Sequence, residues 1–522
     1  MQGMGTQQSS NRTNKALLST ITGVVGYLIT YIVAFAYRTV FIHSLGKVYL
    51  GVEGLFSNIL AMLSLAELGV GTAITFSLYK PLAERDEERI KSLMAYFKKF
   101  YIGIACFIAL AGLALTPFIG FFIKDPPDIK EPLWLIYILY LASTVASYSI
   151  VYKQTLINAD QKVYVVSVVQ NLTTILRSIF QIVWLLIVGT FIPVLIIQIA
   201  MQLFSNIALA VKANQLYPYL RSKDVQPLDK EIKNSISEKI KSLFLYKIGA
   251  YVVAGTDNIL ISKFIGIVLV GMYSNYNTLI TMAKTFANFF IKAVTPGVGN
   301  LTATRTPDEG QRVFHELNFL VFYVFSLVTI EFAILLNPFI SLWIGKDYLL
   351  DSWTIAFLLI NFYLYGLHQN QLIFRNVLGL YVYCRWKPVA EALINIVASL
   401  VFIHFIGLPG VFLGTVTSFM TTAFWVEPYV LYKHYFKHGI KKYCADYALY
   451  ALFTLITTAL LKYASQFVGL DSWLGFITAG FSIAAIHLIF VIVIFGRKTE
   501  FRSALKRIKG ILNSLRRKGK KI

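Results

Sequence analysis

The sequence is short of charge. Asp, Glu, Lys and Arg make up 14% of its 522 residues, against 57% hydrophobic residues. Water-soluble domains carry about 25% charged and about 45–50% apolar residues. A mean hydropathy of +0.65 therefore excludes a water-covered surface and makes the bilayer the solvent. Cysteine is scarce: Cys106, Cys384 and Cys444 stand far apart, which excludes a disulfide framework and a cysteine metal site. Signatures of hydrolases, metalloproteases and P-loop enzymes (GxSxG, HExxH, GxxxxGK[ST]) and the CxxC pair are missing, so neither an enzyme nor a resident cofactor is expected. The polar stretch Met1–Lys15 and the long apolar run behind it do not read as a cleavable signal peptide.

Negative charge is the scarcer sign, with 26 acidic against 48 basic residues and a net charge of +22. In a soluble chain that surplus would point to nucleic acid. Here the cations lie between apolar runs, so no nucleic-acid partner is expected. A spanning helix needs about 20 mainly apolar residues, and that criterion gives about fourteen runs. They fall near 17–43, 49–78, 95–123, 132–156, 163–190, 192–217, 241–265, 268–297, 313–344, 352–380, 388–407, 409–432, 444–466 and 473–495. Placing both termini inside makes the Lys- and Arg-rich connections cytoplasmic and leaves the outward ones short and charge-poor, as the positive-inside rule requires.

The chain also repeats itself. Leu45-Gly46-Lys47-Val48-Tyr49-Leu50-Gly51 is matched 220 residues later by Ile265-Gly266-Ile267-Val268-Leu269-Val270-Gly271. Thr116-Pro117-Phe118-Ile119 is matched at nearly the same offset by Asn337-Pro338-Phe339-Ile340. The expected fold is an all-α polytopic membrane protein: two six-helix lobes in parallel repeat, 1–217 and 241–440, then two further helices over 441–496. Between the lobes, 218–240 reads as an amphipathic cytoplasmic linker carrying Ile232, Ile236 and Ile240. The basic tail 497–522 reads as a second amphipathic segment, with Phe501, Leu505, Ile508, Leu512 and Leu515 on one stripe, suited to anionic membrane lipid.

Ionisable residues inside spans are expensive and usually face a cavity or a partner. The basic ones include Arg38, Arg177, Lys247, Lys284, Lys292 and Arg375, and the acidic ones Glu67, Asp257, Glu331, Glu391 and Glu427. Arg38, Lys284, Arg177, Lys292 and Lys247 are candidates for a cationic cavity that holds a phosphate-bearing group. Lys284 and Lys292, eight residues apart, share one helical face. Snorkelling toward the surface competes with this reading for Lys247, Lys292 and Arg38, and Arg177 could instead pair with a buried carboxylate. Asp257 with Asn258, Glu391 with Asn395 one turn on, and Glu67 are candidates for acidic cavity walls or for Na⁺ or proton coupling. Ion pairs and polar contacts between helices are the alternative.

Several stretches resemble the polysaccharide-transporter (Wzx-type oligosaccharide flippase) family. They are Arg38-Thr39-Val40-Phe41-Ile42, Tyr49-Leu50-Gly51-Val52-Glu53-Gly54-Leu55-Phe56, Leu63-Ser64-Leu65-Ala66-Glu67-Leu68-Gly69, and Val270-Gly271-Met272-Tyr273-Ser274-Asn275-Tyr276. The resemblance implies a flippase in a bacterial plasma membrane. Its substrate would be undecaprenyl-diphosphate-linked oligosaccharide repeat units, moved from the inner to the outer leaflet by alternating access for capsule or surface polysaccharide. Polymerase and glycosyltransferases of the same pathway would be its partners. The layout is shared with multidrug exporters and peptidoglycan-precursor flippases of the same superfamily, which remain the alternatives. In the related lipid-precursor flippases the seventh and eleventh helices supply a sodium site. Asp257 fits the seventh-helix role by type, whereas Glu391 and Asn395 depart from the eleventh-helix pattern.

Overall fold

The computed structural model describes residues 2–222 and 224–506; side chains are described from Gly26 onward, except at 27, 66, 242–243, 245–248, 250–251, 254, 290 and 292–293. The chain is an all-α polytopic membrane protein. Among the described residues, ten helical stretches are long and apolar enough to cross a membrane. The number read from sequence was about fourteen. Part of the difference is the stretch Leu28–Leu63, which contains most of the first two apolar runs. The runs near 241–265, 268–297 and 352–380 also fall on helices, but these are not among the ten.

The chain divides into two compact units, Met1–Gly271 and Met272–Ile522. The boundary lies later than the linker read from sequence, so the seventh apolar run groups with the first unit. That unit holds α1 (Gln2–Leu63), α2 (Val70–Glu84), α3 (Glu87–Leu115), α4 (Leu133–Ser147), α5 (Val151–Ala159), α6 (Val163–Ile187), α7 (Phe191–Leu216) and α8 (Lys230–Leu260). From Lys230 on, the segment expected to be a separate surface linker is the first part of α8, with Ile236 buried.

Local chemistry sets the breaks. Gly46 interrupts α1 with φ 81° and ψ −176°, a conformation that only glycine adopts cheaply. Gly266, 220 residues later, has φ 145°. Close to each break a glycine meets backbone. A Cβ on Gly51 would lie 2.0 Å from the Ile267 carbonyl oxygen, and one on Gly271 would lie 2.1 Å from that of Lys47. The contact is reciprocal, because 47 and 267 are related by the same offset as 51 and 271. Some helix starts are capped by side chains: Asp86 accepts from the Arg89 amide at 2.9 Å to open α3. Around these helices the core is aromatic, with Phe41 against Phe191 at 5.7 Å and Phe56 against Tyr137 at 5.3 Å.

The second unit begins within α9 (Ile267–Thr304) and continues with α10 (Pro307–Ile344), α11 (Ser352–Val377), α12 (Lys387–Ile406), α13 (Leu408–Thr421), α14 (Ala423–Leu431), α15 (Lys441–Ser465) and α16 (Trp473–Phe495). Asp351 caps α11 through the amides of Trp353 and Thr354, and Ser472 caps α16 through that of Gly475. One cluster, including Phe314, Phe322, Tyr450 and Phe495, joins α10, α11, α15 and α16. Within it Phe322 and Tyr450 stack at 4.1 Å. The start of the basic tail docks on this cluster, with Phe501 5.9 Å from Phe319 and Lys442 bonded to Glu500 at 3.0 Å. Burial favours the neutral Glu500 carboxyl, but its own amide and Lys442 outweigh this and hold it below its usual value. Ile508, Leu512 and Leu515 lie outside the described residues.

Candidate functional site

Each unit holds its own group of intramembrane charges. In the first unit Arg38 and Glu53 lie on α1 on either side of the Gly46 break, and Arg177 comes from α6. Arg38 and Arg177 are the two cations whose fields act on Glu53. Tyr37 and Tyr140 complete the group, since the field of Glu53 reaches both hydroxyls. Protein surrounds Arg38 and Glu53 on nearly all sides, yet both retain accessible surface. The Arg177 Nε is buried with no hydrogen-bond partner among the described residues. The fields of two guanidiniums thus converge on one carboxylate, and guanidiniums are suited to receiving an anion.

Sequence reading selected Arg38 and Arg177 and held a buried carboxylate as the alternative partner of Arg177, but it passed over Glu53. Glu53 lies between Gly51 and Gly54. Glu67 is placed elsewhere, beside Tyr101. Asp257 and Asn258 lie near the C-terminal end of α8, where the Asn258 amide donates to the Gly54 carbonyl at 3.3 Å. The side chain of Lys247 lies outside the described residues.

In the second unit the hub is Glu427, on α14 and fully buried. Arg375 and His368, both on α11, contact its two oxygens, and Lys387 of α12 reaches it at 3.4 Å. Lys387 also pairs with Glu391 at 2.8 Å. Two fixed cations therefore face two carboxylates, and this group is satisfied internally. Glu391 is engaged by that lysine, and Asn395 donates to Thr415 Oγ1 at 3.0 Å. Lys284 lies over the Tyr365 ring at 4.7 Å, and Asn288 donates to the hydroxyl of the same tyrosine at 2.9 Å. The side chain of Lys292 is outside the described residues. Among the described residues no group of three or more His, Cys, Asp or Glu is placed to hold a metal ion.

With this geometry in hand, comparison with known proteins defines the fold. The model of the MatE family matches residues 24–183, less than half of the chain. A multidrug resistance MATE family transporter of the MOP superfamily, in an inward-facing conformation, superposes with a TM-score of 0.63 at 14% identity, covering 80% of this chain and 98% of its own. The lipid II flippase MurJ, in an inward closed conformation, superposes with a TM-score of 0.64 at 14% identity, covering 91% of this chain and 99% of its own. A MOP superfamily transporter from Pyrococcus furiosus Vc1, noted for the reverse polarity of its binding pocket, gives 0.52 at 12% identity, covering 80% and 94%. The chain has the fold of these transporters. Comparison with the curated proteins finds no significant match.

Proposed function

We propose that the protein is a transporter of a lipid-linked anion, namely a flippase for undecaprenyl-diphosphate-linked oligosaccharide units working by alternating access. The observation that carries this reading is the placement of two arginines, Arg38 and Arg177, whose fields meet at Glu53. A diphosphate cannot cross about 30 Å of hydrocarbon unaided. Guanidiniums bind phosphate oxygens in bidentate fashion and can replace its hydration. The apolar tail can stay in the lipid phase while the headgroup follows the cations. The reciprocal Gly51/Ile267 and Gly271/Lys47 contact supports a duplicated architecture, and the superposition on MurJ supports a fold compatible with moving a lipid headgroup. Placement in a bacterial plasma membrane with both termini cytoplasmic is part of the same proposal.

The test is a deletion strain complemented with wild type or with the Arg38→Gln/Arg177→Gln double variant. The expected outcome is accumulation of lipid-linked units on the cytoplasmic face in the variant strain. Wild-type glycan export by the double variant would remove the reading. A multidrug antiporter is the second reading, favoured by the MatE-family match over 24–183. It predicts that drug efflux, not glycan export, responds to the deletion.

A further inference from the structure

A second feature of the second unit lies on α9, apart from the Glu427 group. Asn277, Thr281, Lys284, Asn288 and Lys292 follow one another at steps of four, three, four and four residues. That spacing puts all five on one helical face. The face runs for about 22 Å at 1.5 Å per residue, most of a bilayer core of about 30 Å. Asn277 and Thr281 are exposed, while Tyr276, Ile280 and Ala287 on the neighbouring flank are buried. Asn288 spends its amide nitrogen on the hydroxyl of Tyr365, from α11, and Lys284 lies over the ring of that tyrosine. α9 contains neither Asp nor Glu.

We propose that this face binds the sugars of the lipid-linked unit, through hydrogen bonds to Asn277, Thr281 and Asn288. The inference deepens the flippase reading and rests on it. Under that reading the arginines of the first unit answer the diphosphate, and the α9 face answers the uncharged part of the headgroup. The argument is one of surface and charge. Exposed amides and hydroxyls at membrane depth are costly against hydrocarbon, so the face borders water or a polar ligand. With no carboxylate on α9, a metal ion or an organic cation finds no counter-charge there. Lys284 is already engaged by the Tyr365 ring, and Asn277 and Thr281 are neutral. An amide offers both donors and an acceptor, and a hydroxyl offers one of each kind. A row of such groups matches the hydroxyls of a saccharide. A site built on hydrogen bonds to hydroxyls rejects a ligand that lacks them, so this face separates the glycan-bearing lipid from the bare one.

The test uses two lipids with the same tail and diphosphate: undecaprenyl diphosphate, and the lipid-linked units extracted from the deletion strain. Each is titrated into the purified full-length protein in nonionic detergent, and the rise in unfolding temperature gives its affinity by linkage. Wild type is expected to bind both and to prefer the glycan-bearing lipid. Asn277→Leu with Thr281→Val keeps the side-chain volumes and removes the polar groups. This double variant is expected to lose about tenfold or more in affinity for the lipid-linked units, the scale of two lost hydrogen bonds. Its affinity for undecaprenyl diphosphate is expected to stay as in wild type. Equal affinity of wild type for the two lipids, or a preference kept by the double variant, would overturn the sugar contact and leave the diphosphate reading standing. Binding of neither lipid by wild type would remove the flippase reading and this inference with it. If the double variant does not remain monodisperse, Thr281→Cys decides, with Cys106, Cys384 and Cys444 replaced by Ser. Its labelling by a charged maleimide is expected to be slowed by the lipid-linked units and not by undecaprenyl diphosphate. Equal slowing by both, or by neither, would overturn the contact.

Discussion

The two charge groups have the same ingredients and opposite balances. In the first unit two arginines face one glutamate, and the side chains keep some accessible surface. In the second, Arg375 and Lys387 face Glu427 and Glu391, with Glu427 fully buried. A buried ion pair contributes little net stability, because desolvation cancels most of the attraction. Its partners nevertheless become indispensable to one another. This group ties α11, α12 and α14 together through Arg375, His368, Lys387 and the two carboxylates. In the first group two described arginines act on one described carboxylate, and under the proposed function that is where an anionic ligand gains affinity.

The sharpest way to break this comparison is to remove Glu427. Glu427→Gln leaves Arg375 without its carboxylate in a dry site, while Lys387 keeps Glu391, and the expected loss is about 3–5 kcal/mol, read as a lowered unfolding temperature of the purified protein. Replacing both partners, as Arg375→Gln with Glu427→Gln, should recover most of that loss, because the buried charges leave together. If the double variant is no more stable than Glu427→Gln alone, the group is more than an internal tie.

The matching pair of variants in the first unit should behave differently. Arg38→Gln, or Arg177→Gln, is expected to lower glycan-lipid translocation by about tenfold or more, the scale of one lost charge-assisted hydrogen bond at about 1.5–3 kcal/mol. Adding Glu53→Gln should not restore transport, because it supplies no phosphate ligand. Inorganic pyrophosphate should in turn raise the unfolding temperature of wild type, by linkage to the folded state, and should do so less for Arg38→Gln. Equal stabilisation of the two proteins would place the anion elsewhere.

How much of this was legible in the sequence differs between backbone and side chains. The glycines were legible: Gly46 with Gly266, and Gly51 with Gly271, stand at one offset, and the structure puts positive φ at the first pair and tight backbone contact at the second. Turn geometry and close approach are local demands, so residue identity reveals them. The charges were only half legible. Arg38 and Arg177 stand out as costly residues in apolar runs, but the partner Glu53 sits next to a predicted loop and looked cheap. The same offset puts Asn258 and Tyr273 at the counterparts of Arg38 and Glu53, so this charge pair was not carried into the other half. Periodicity could not show that Glu391 would be taken by Lys387, or that Glu427 would gather residues from two other helices, because such pairings depend on helix packing.

Lys284 is the point where the comparison is finest. Sequence reading put it in the same cationic wall as Arg38. The structure places its ammonium 4.7 Å from the Tyr365 ring, on a tyrosine held by Asn288. A cation already placed over an aromatic face has part of its field used, and such contacts contribute about 0.5–1 kcal/mol at accessible sites. Lys284→Met should therefore lower stability by only about that much, with a transport defect well below that of Arg38→Gln. Lys284→Arg should be close to neutral on both measures, because a guanidinium stacks on tyrosine as readily. The paired assays of translocation and unfolding temperature separate two outcomes. A small stability loss with near-normal transport keeps the ligand-binding surplus in the first unit. Loss of transport in Lys284→Met as deep as in Arg38→Gln, with stability intact, would show that the second unit also donates a cation to the ligand, and the contrast between an open group and a closed one would no longer hold.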